Sequence, residues 1–239
     1  MLEHARRGLE LGEAVGAIVS DRVSEVVGLL RLSAPPSISD SLLAPLIGAF
    51  QSAHPGVRVQ VFVTERLVDH VAEGIDLSFH VGRLRDSSLV ARRVLSYRHR
   101  LVASPGYVAR AGGPREPQDL LGHRMLAFSH GRPDARWLLR HVDGERRERL
   151  GFVPHLAMND FAGLAAALVA GAGIGDLPPV VQPELLRDGR LVEVMPDWRF
   201  PVLDLSVVHP GGRHVPRPVR VFGEFAVRMG PSLFPDLPL

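Results

Sequence analysis

Serine, threonine and asparagine recur in this chain in short polar loops that follow strand-like runs: "SAPPSIS" (33–39), "TER" (64–66), "GRLRDSS" (82–88) and "SHGR" (129–132), with "ND" (159–160) directly ahead of a helical run. Their hydroxyls and amides are groups that hydrogen-bond small polar ligands in clefts. Taken singly, each serves equally well as a helix cap or a turn former. Recurrence at corresponding places points instead to one cleft, because strand C-terminal ends and helix N-termini form the ligand crevice of parallel α/β sheets.

Covalent and metal chemistry find little to work with. All 28 basic residues are arginine, which excludes a Schiff base, a P-loop lysine and a serine–lysine pair. Cysteine is absent, so disulfides and thiolate chemistry are excluded and a cytoplasmic setting is expected. The eleven histidines form no HExxH and no carboxylate pairing at ligand spacing, so no metal is expected. No serine lies in a GxSxG elbow. "GAGIGD" (171–176) looks like the start of a dinucleotide fingerprint, but it follows a helix and precedes a strand, the reverse of what that motif requires. The chain is therefore expected to be no enzyme and to need no cofactor. Its formal net charge of +2 gives no argument for a nucleic-acid-binding face. No apolar run approaches the roughly 18 residues of a membrane span. The charged opening residues lack the continuous apolar stretch of a secretory signal.

The elements that would hold the polar loops alternate in type. Residues 2–28 carry Leu2, Leu9, Val15, Ile18, Val19, Val23, Val26 and Val27 at roughly helical spacing, a narrow stripe suited to a dimerising or interdomain helix. Leu29 to Ala34 reads as a strand. Ser39 or Asp40 would cap a helix striped by Leu42, Leu43, Leu46, Ile47 and Phe50. "VRVQVFVT" (57–64) alternates as a strand, "ERLVDHVAEG" (65–74) is a short helix stopped by Gly74, and "IDLSFHVG" (75–82) is a third strand. This β-α-β-α-β order is that of a parallel α/β sheet. Further on, a hairpin turns at Asp143–Gly144. Residues 160–173 form a small-residue helix, 174–178 a buried strand, and a helix then runs to about Arg187. Strands follow at 190–196 and 204–210, with a closing amphipathic helix at 217–229 and an irregular tail. Two α/β units in tandem, joined around 100–105 and again around 203–209, predict two lobes with a cleft between them.

Several stretches carry a resemblance to a known family. "VDHVAEGIDL" (68–77), "SSLVARRVL" (87–95) and "LVASPGY" (101–107) are the most specific; "GLAAALVAGAGIGDLP" (163–178), "GRLVEVMPDWRFP" (189–201) and "VVHPGGRHVPRPVRVFGEFAV" (207–227) extend it to nearly the whole chain. These segments resemble the effector-binding domain of LysR-type transcriptional regulators. The resemblance implies two Rossmann-like lobes of the type 2 periplasmic-binding-protein kind around a central cleft. Lobe I would take 29–102 with 208–230 and lobe II 103–207, with 1–28 as a linker and dimerisation helix and 231–239 as an irregular tail. It implies no cofactor. A small effector would bind in the cleft and modulate promoter binding by an attached winged helix-turn-helix. That module is missing from this sequence, so DNA binding by this chain alone is not expected.

Carried over by position, effector contacts would come from Ser37, Ile38, Ser39, Thr64, Val81 and Gly82, and from Ser104, Phe128, Ser129, Asn159 and Phe161. Arg66, Arg83 and Arg132 stand near these loops and point to an acidic effector. Side-by-side pairing into a homodimer or tetramer would use Leu43, Leu46, Ile47, Phe50, Val219, Phe222 and Phe225. Asp176 stands where the family pattern leads one to expect an apolar residue; a buried carboxylate there needs partners, so it would either line the cleft as a reader of a donor or cation or sit at an exposed strand end. A stand-alone solute-binding protein shares the architecture, but neither a signal peptide nor a lipidation cysteine supports it.

Overall fold

The computed structural model describes residues 26–84, 88–211, 215–235 and 237, and the helix expected over residues 2–28 lies almost wholly outside them. In chain order the elements are β1 (Gly28–Ala34), α1 (Ala44–Ala53), β2 (Val57–Val63), α2 (His70–Glu73), β3 (Leu77–Val81), β4 (Leu89–Tyr97), β5 (Arg100–Ala103), α3 (Pro105–Ala111) and β6 (Met125–Phe128). They continue with β7 (Ala135–His141), β8 (Arg147–Phe152), β9 (Leu156–Met158), α4 (Phe161–Val169), β10 (Ile174–Leu177), α5 (Glu184–Arg187), β11 (Val192–Glu193), β12 (Trp198–Arg199), β13 (Leu203–Pro210) and α6 (Arg217–Met229).

The first sheet runs β2-β1-β3-β13-β4. β1 pairs in parallel with β2 along its whole length, Gly28 opposite Val57 to Ala34 opposite Val63, and in parallel with β3. β13 is antiparallel to both of its neighbours. The second sheet runs β11-β5-β10-β6-β9, and β12-β7-β8 form a small third one. The chain thus leaves the first sheet after Tyr97 and rejoins it at Leu203.

Strand alternation sorts the side chains. Leu101, Ala103, Met125 and Ile174 enter one apolar cluster of the second half, while Val102, Leu126 and Leu177 enter the cluster on the opposite face. The core of the first half is packed by α1 and α6, with Phe50 edge-on to Phe222 at 5.0 Å and to Phe225 at 5.3 Å. Each such ring contributes about 1.5–3 kcal/mol on burial.

Several local expectations are corrected. The helix expected over 65–74 shrinks to α2, because Asp69 accepts hydrogen bonds from the Val71 and Ala72 backbone N–H and so fixes the start. Gly74 ends it in the left-handed conformation at φ 64°. Neither Ser39 nor Asp40 caps α1; the chain enters it through a 3-10 turn (Pro36–Ile38) and a π turn (Ser39–Leu43). The helix before Arg187 is only α5, since Pro178, Pro179 and Pro183 supply no backbone N–H. Only Val192 and Glu193 of the strand expected at 190–196 pair, and Met195 breaks away at φ 51°. The tail is not irregular throughout: Gly230–Leu233 form a 3-10 turn and Phe234 is buried in the first core.

The side chains expected to pair two copies are mostly spent within one. Leu43, Leu46, Phe50, Val219, Phe222 and Phe225 are buried in the chain's own first core, and Ile47 is partly buried against it. The widest apolar stripe of a helix lying on a sheet turns to the sheet. What α1 and α6 leave outside is Ala44, Pro45, Gly48, Ala49, Ser52 and Ala53 on the one and Arg220, Glu224 and Arg228 on the other. Among the described residues, no helix is long and apolar enough to cross a membrane.

Candidate functional site

A cavity of about 270 Å³ opens between the two halves. The first half supplies Ser33, Pro35 and Ser37 at the end of β1, Thr64 to Val68 after β2, Ser78 to Val81 of β3, Tyr97 and Leu203. His99, at the crossing, and Phe128, Phe161 and Pro178 of the second half close it. The wall is thus built where parallel strands end, the place that α/β topology reserves for ligands.

Of the positions expected from sequence, Ser37, Thr64, Val81, Phe128 and Phe161 meet at this cavity. The others lie elsewhere. Ile38 is fully buried in the first core. Ser39 Oγ donates to the Pro36 carbonyl at 2.9 Å, and the Gly82 N–H donates to the Asp204 carbonyl at 2.8 Å. Ser104 is the N-cap of α3, its Oγ accepting from the Tyr107 N–H. Ser129 and Asn159 line a second cavity with His130 and Arg132.

The rings are ordered. Phe128 and Phe161 stack at 4.4 Å, 19° from parallel, and His99 stands edge-on to Phe161 at 5.4 Å. Tyr97 lies parallel to His99 at 6.2 Å. His99 Nδ1 meets Asp176 Oδ2 at 2.8 Å. Asp176 is 8% exposed and does find the partner that burial demands, but it stands behind His99 rather than on the cavity wall. Ser78 Oγ is 3.0 Å from His70 Nε2, and burial holds that imidazole below its ordinary pKa, so it is neutral at pH 7.

The charges near the mouth are mostly spoken for. Both guanidinium Nη atoms of Arg66 are engaged by the two Glu73 carboxylate oxygens, a fork that holds Glu73 down to about 2, with the Asp69 N–H assisting. Arg83 is not on the wall, and Arg132 belongs to the second cavity. The Glu65 carboxyl is raised above its ordinary range by burial, with His130 opposing and Asp160 adding to the shift. Burial, and then the charge of Glu65, raise the Tyr97 hydroxyl. Asp160 caps α4 by accepting from the Ala162 and Gly163 N–H. The two halves also touch beside the cavity, where Ser41 Oγ donates to the Val180 carbonyl and Val180 packs into the first core. At the crossing, Arg98 Nη1 donates to Glu193 Oε1 at 3.1 Å. Among the described residues, no group of three or more carboxylates and imidazoles is arranged to hold a metal ion.

Sequence reasoning missed Tyr97, His99, Ser33 and Ser78 on this wall. The polar Asp176 in an otherwise apolar strand was the one signal that led toward His99.

The family model for the LysR substrate binding domain matches residues 24–230. The chain belongs to the LysR family. An HTH-type transcriptional regulator of Xanthomonas campestris pv. campestris is 33% identical over 228 residues, covering 94% of this chain and 66% of that protein. The chain therefore spans about two thirds of the length of that curated relative. In three dimensions it is similar to the full-length Vibrio cholerae virulence activator AphB, at 26% identity and a TM-score of 0.77, over 95% of this chain and 77% of that one. It is likewise similar to the regulatory domain of CrgA from Neisseria meningitidis, a LysR-type transcriptional regulator, at 25% identity and a TM-score of 0.76, over 86% of this chain and all of that one. The fold is accordingly that of a LysR regulatory domain, two α/β lobes of the type 2 periplasmic-binding-protein kind, as expected. The LysR relatives are transcriptional regulators, in agreement with the expectation that the chain is not an enzyme.

Proposed function

We propose that this chain is the effector-sensing part of a cytoplasmic LysR-type transcriptional regulator. A small molecule binds in the cavity between the lobes and alters promoter binding by an attached winged helix-turn-helix. Lobe I takes the strands up to Tyr97 together with β13 and α6, and lobe II the segment from Arg100 to Arg199, so the bounds expected at 102/103 and 207/208 move to where the chain changes sheet. The linker helix expected over 1–28 lies almost wholly outside the described residues. The observation that carries the proposal is the cavity itself: Ser37, Thr64 and Val81 of one half face Phe128 and Phe161 of the other. A ligand held by both walls binds one lobe arrangement better than another. It shifts the equilibrium by that difference in affinity.

Assembly as a homodimer or tetramer is part of the proposal. The outward faces of α1 and α6 supply the contacts, since the inward stripes are already buried.

The test is a thermal-shift screen of a metabolite library, repeated on Val81→Trp, which fills the cavity. Compounds that raise the melting temperature of the unaltered chain by several degrees are expected to lose the effect in the variant. Stabilisation that persists in Val81→Trp overturns cavity binding. Light scattering of the same samples tests assembly, and a monomer at every concentration removes that part.

A further inference from the structure

We propose that the ligand of the interlobe cavity is a small aromatic amine, its ammonium seated on Glu65 and its ring among the aromatic side chains of the wall. This rests on the proposal that the cavity is the effector site and names the chemical class it selects. It reverses the acidic effector that the neighbouring arginines led one to expect.

Three observations carry it. The charge of Arg66, which lines the cavity, is already matched by Glu73, whose two carboxylate oxygens meet both Nη atoms. An anion at the remaining N–H groups of Arg66 meets an ion pair that is already neutral as a whole rather than a free cation. The helix N-terminus at the cavity is not available either. Phe161 begins α4 and lines the wall, but the free N–H groups of Ala162 and Gly163 already point at the Asp160 carboxylate. An anionic ligand there would displace Asp160 or sit beside it, like charge on like. Glu65, by contrast, is the carboxylate among the lining residues, on the same wall as the aromatic rings.

The apolar part of the wall completes the reading. Phe79, Tyr97, Phe128 and Phe161 bring ring edges and faces to a cavity of about 270 Å³, where an apolar cavity of about 150 Å³ already accepts benzene. Aromatic faces attract a cation and repel an anion.

The experiment is calorimetric titration of the chain with benzylamine, benzyl alcohol and benzoate, which share a ring and differ in charge. Benzylamine is expected to bind about ten-fold more tightly than benzyl alcohol, with benzoate weakest. In Glu65→Gln, checked for an unchanged unfolding transition, the ratio of amine to alcohol affinity is expected to fall to about one. If Glu65→Gln fails to fold, the order of the three affinities in the unaltered chain decides alone. Benzoate binding most tightly overturns the amine while leaving the cavity in place. Equal affinities for amine and alcohol, or a preference that survives Glu65→Gln, overturn it as well. If none of the three binds at millimolar concentration the amine is again overturned. Whether a ligand of another kind uses the cavity is then answered separately by the Val81→Trp screen.

Discussion

At the scale of single residues, the cavity wall is held by partners one layer out. Ser78 is placed by His70, and His99 by Asp176. His70 gives the first a measurable signature. Burial is the main cause of its lowered pKa, opposed by a hydrogen bond with the Val208 backbone; His209 lowers it further, and Asp69 and Glu73 raise it. A histidine that folding holds below its ordinary value of 6.5 takes up its proton more readily when unfolded. Its contribution is therefore complete above pH 6.5 and is lost as the pH falls through 6.5 toward the lowered native value. The melting temperature is expected to drop between pH 8 and pH 5, and His70→Gln to flatten that drop by about 2–4 °C. An equal drop in the variant assigns the acid sensitivity to other groups. Ser37, Thr64, Val81, Phe128 and Phe161 were legible because each sits at a strand end or helix start, where the cleft must form. Tyr97 and His99 were not. They flank the crossing between sheets, and only the way the chain folds over itself turns them inward.

Elements were read more reliably than their limits. The strands of the first half and α6 follow from alternation and helical spacing, whereas α2 and α5 are cut short by a capping aspartate and by prolines. The stripes on α1 and α6 were found, and their side chains pack the chain's own first core. The glycine run after α4 shows a demand that spacing alone hides. A Cβ on Gly173 would lie 2.0 Å from the Arg124 carbonyl oxygen, which is backbone and cannot swing away. Ile174 N–H donates to that same carbonyl at 2.8 Å, so the close approach is how β10 joins β6. Gly173→Ala is expected to cost about 1–3 kcal/mol, a fall of several degrees in melting temperature. An unchanged transition would show that β10 can shift without loss.

For the molecule as a whole, the two halves differ in how they are drawn from the chain. Every strand of the second and third sheets lies between Arg100 and Arg199. The first sheet needs β13, which fills the place between β3 and β4. A chain ended after Phe200 is expected to keep slow amide exchange in β5, β6 and β10 and to lose it in β3 and β4. Protection retained in β4 would show that the first sheet closes without its late strand.

The late arrival of β13 also matters to a ribosome. A nascent chain carries β1 to β4 with an unfilled slot while roughly a hundred further residues are added, about 5–20 s at ordinary elongation rates. During that interval β3 exposes an unpaired edge bearing Leu77 and Phe79, both buried in the finished protein. The half that is translated first is thus completed last, and its open edge makes the growing chain a natural client for chaperones until Leu203–Pro210 emerges.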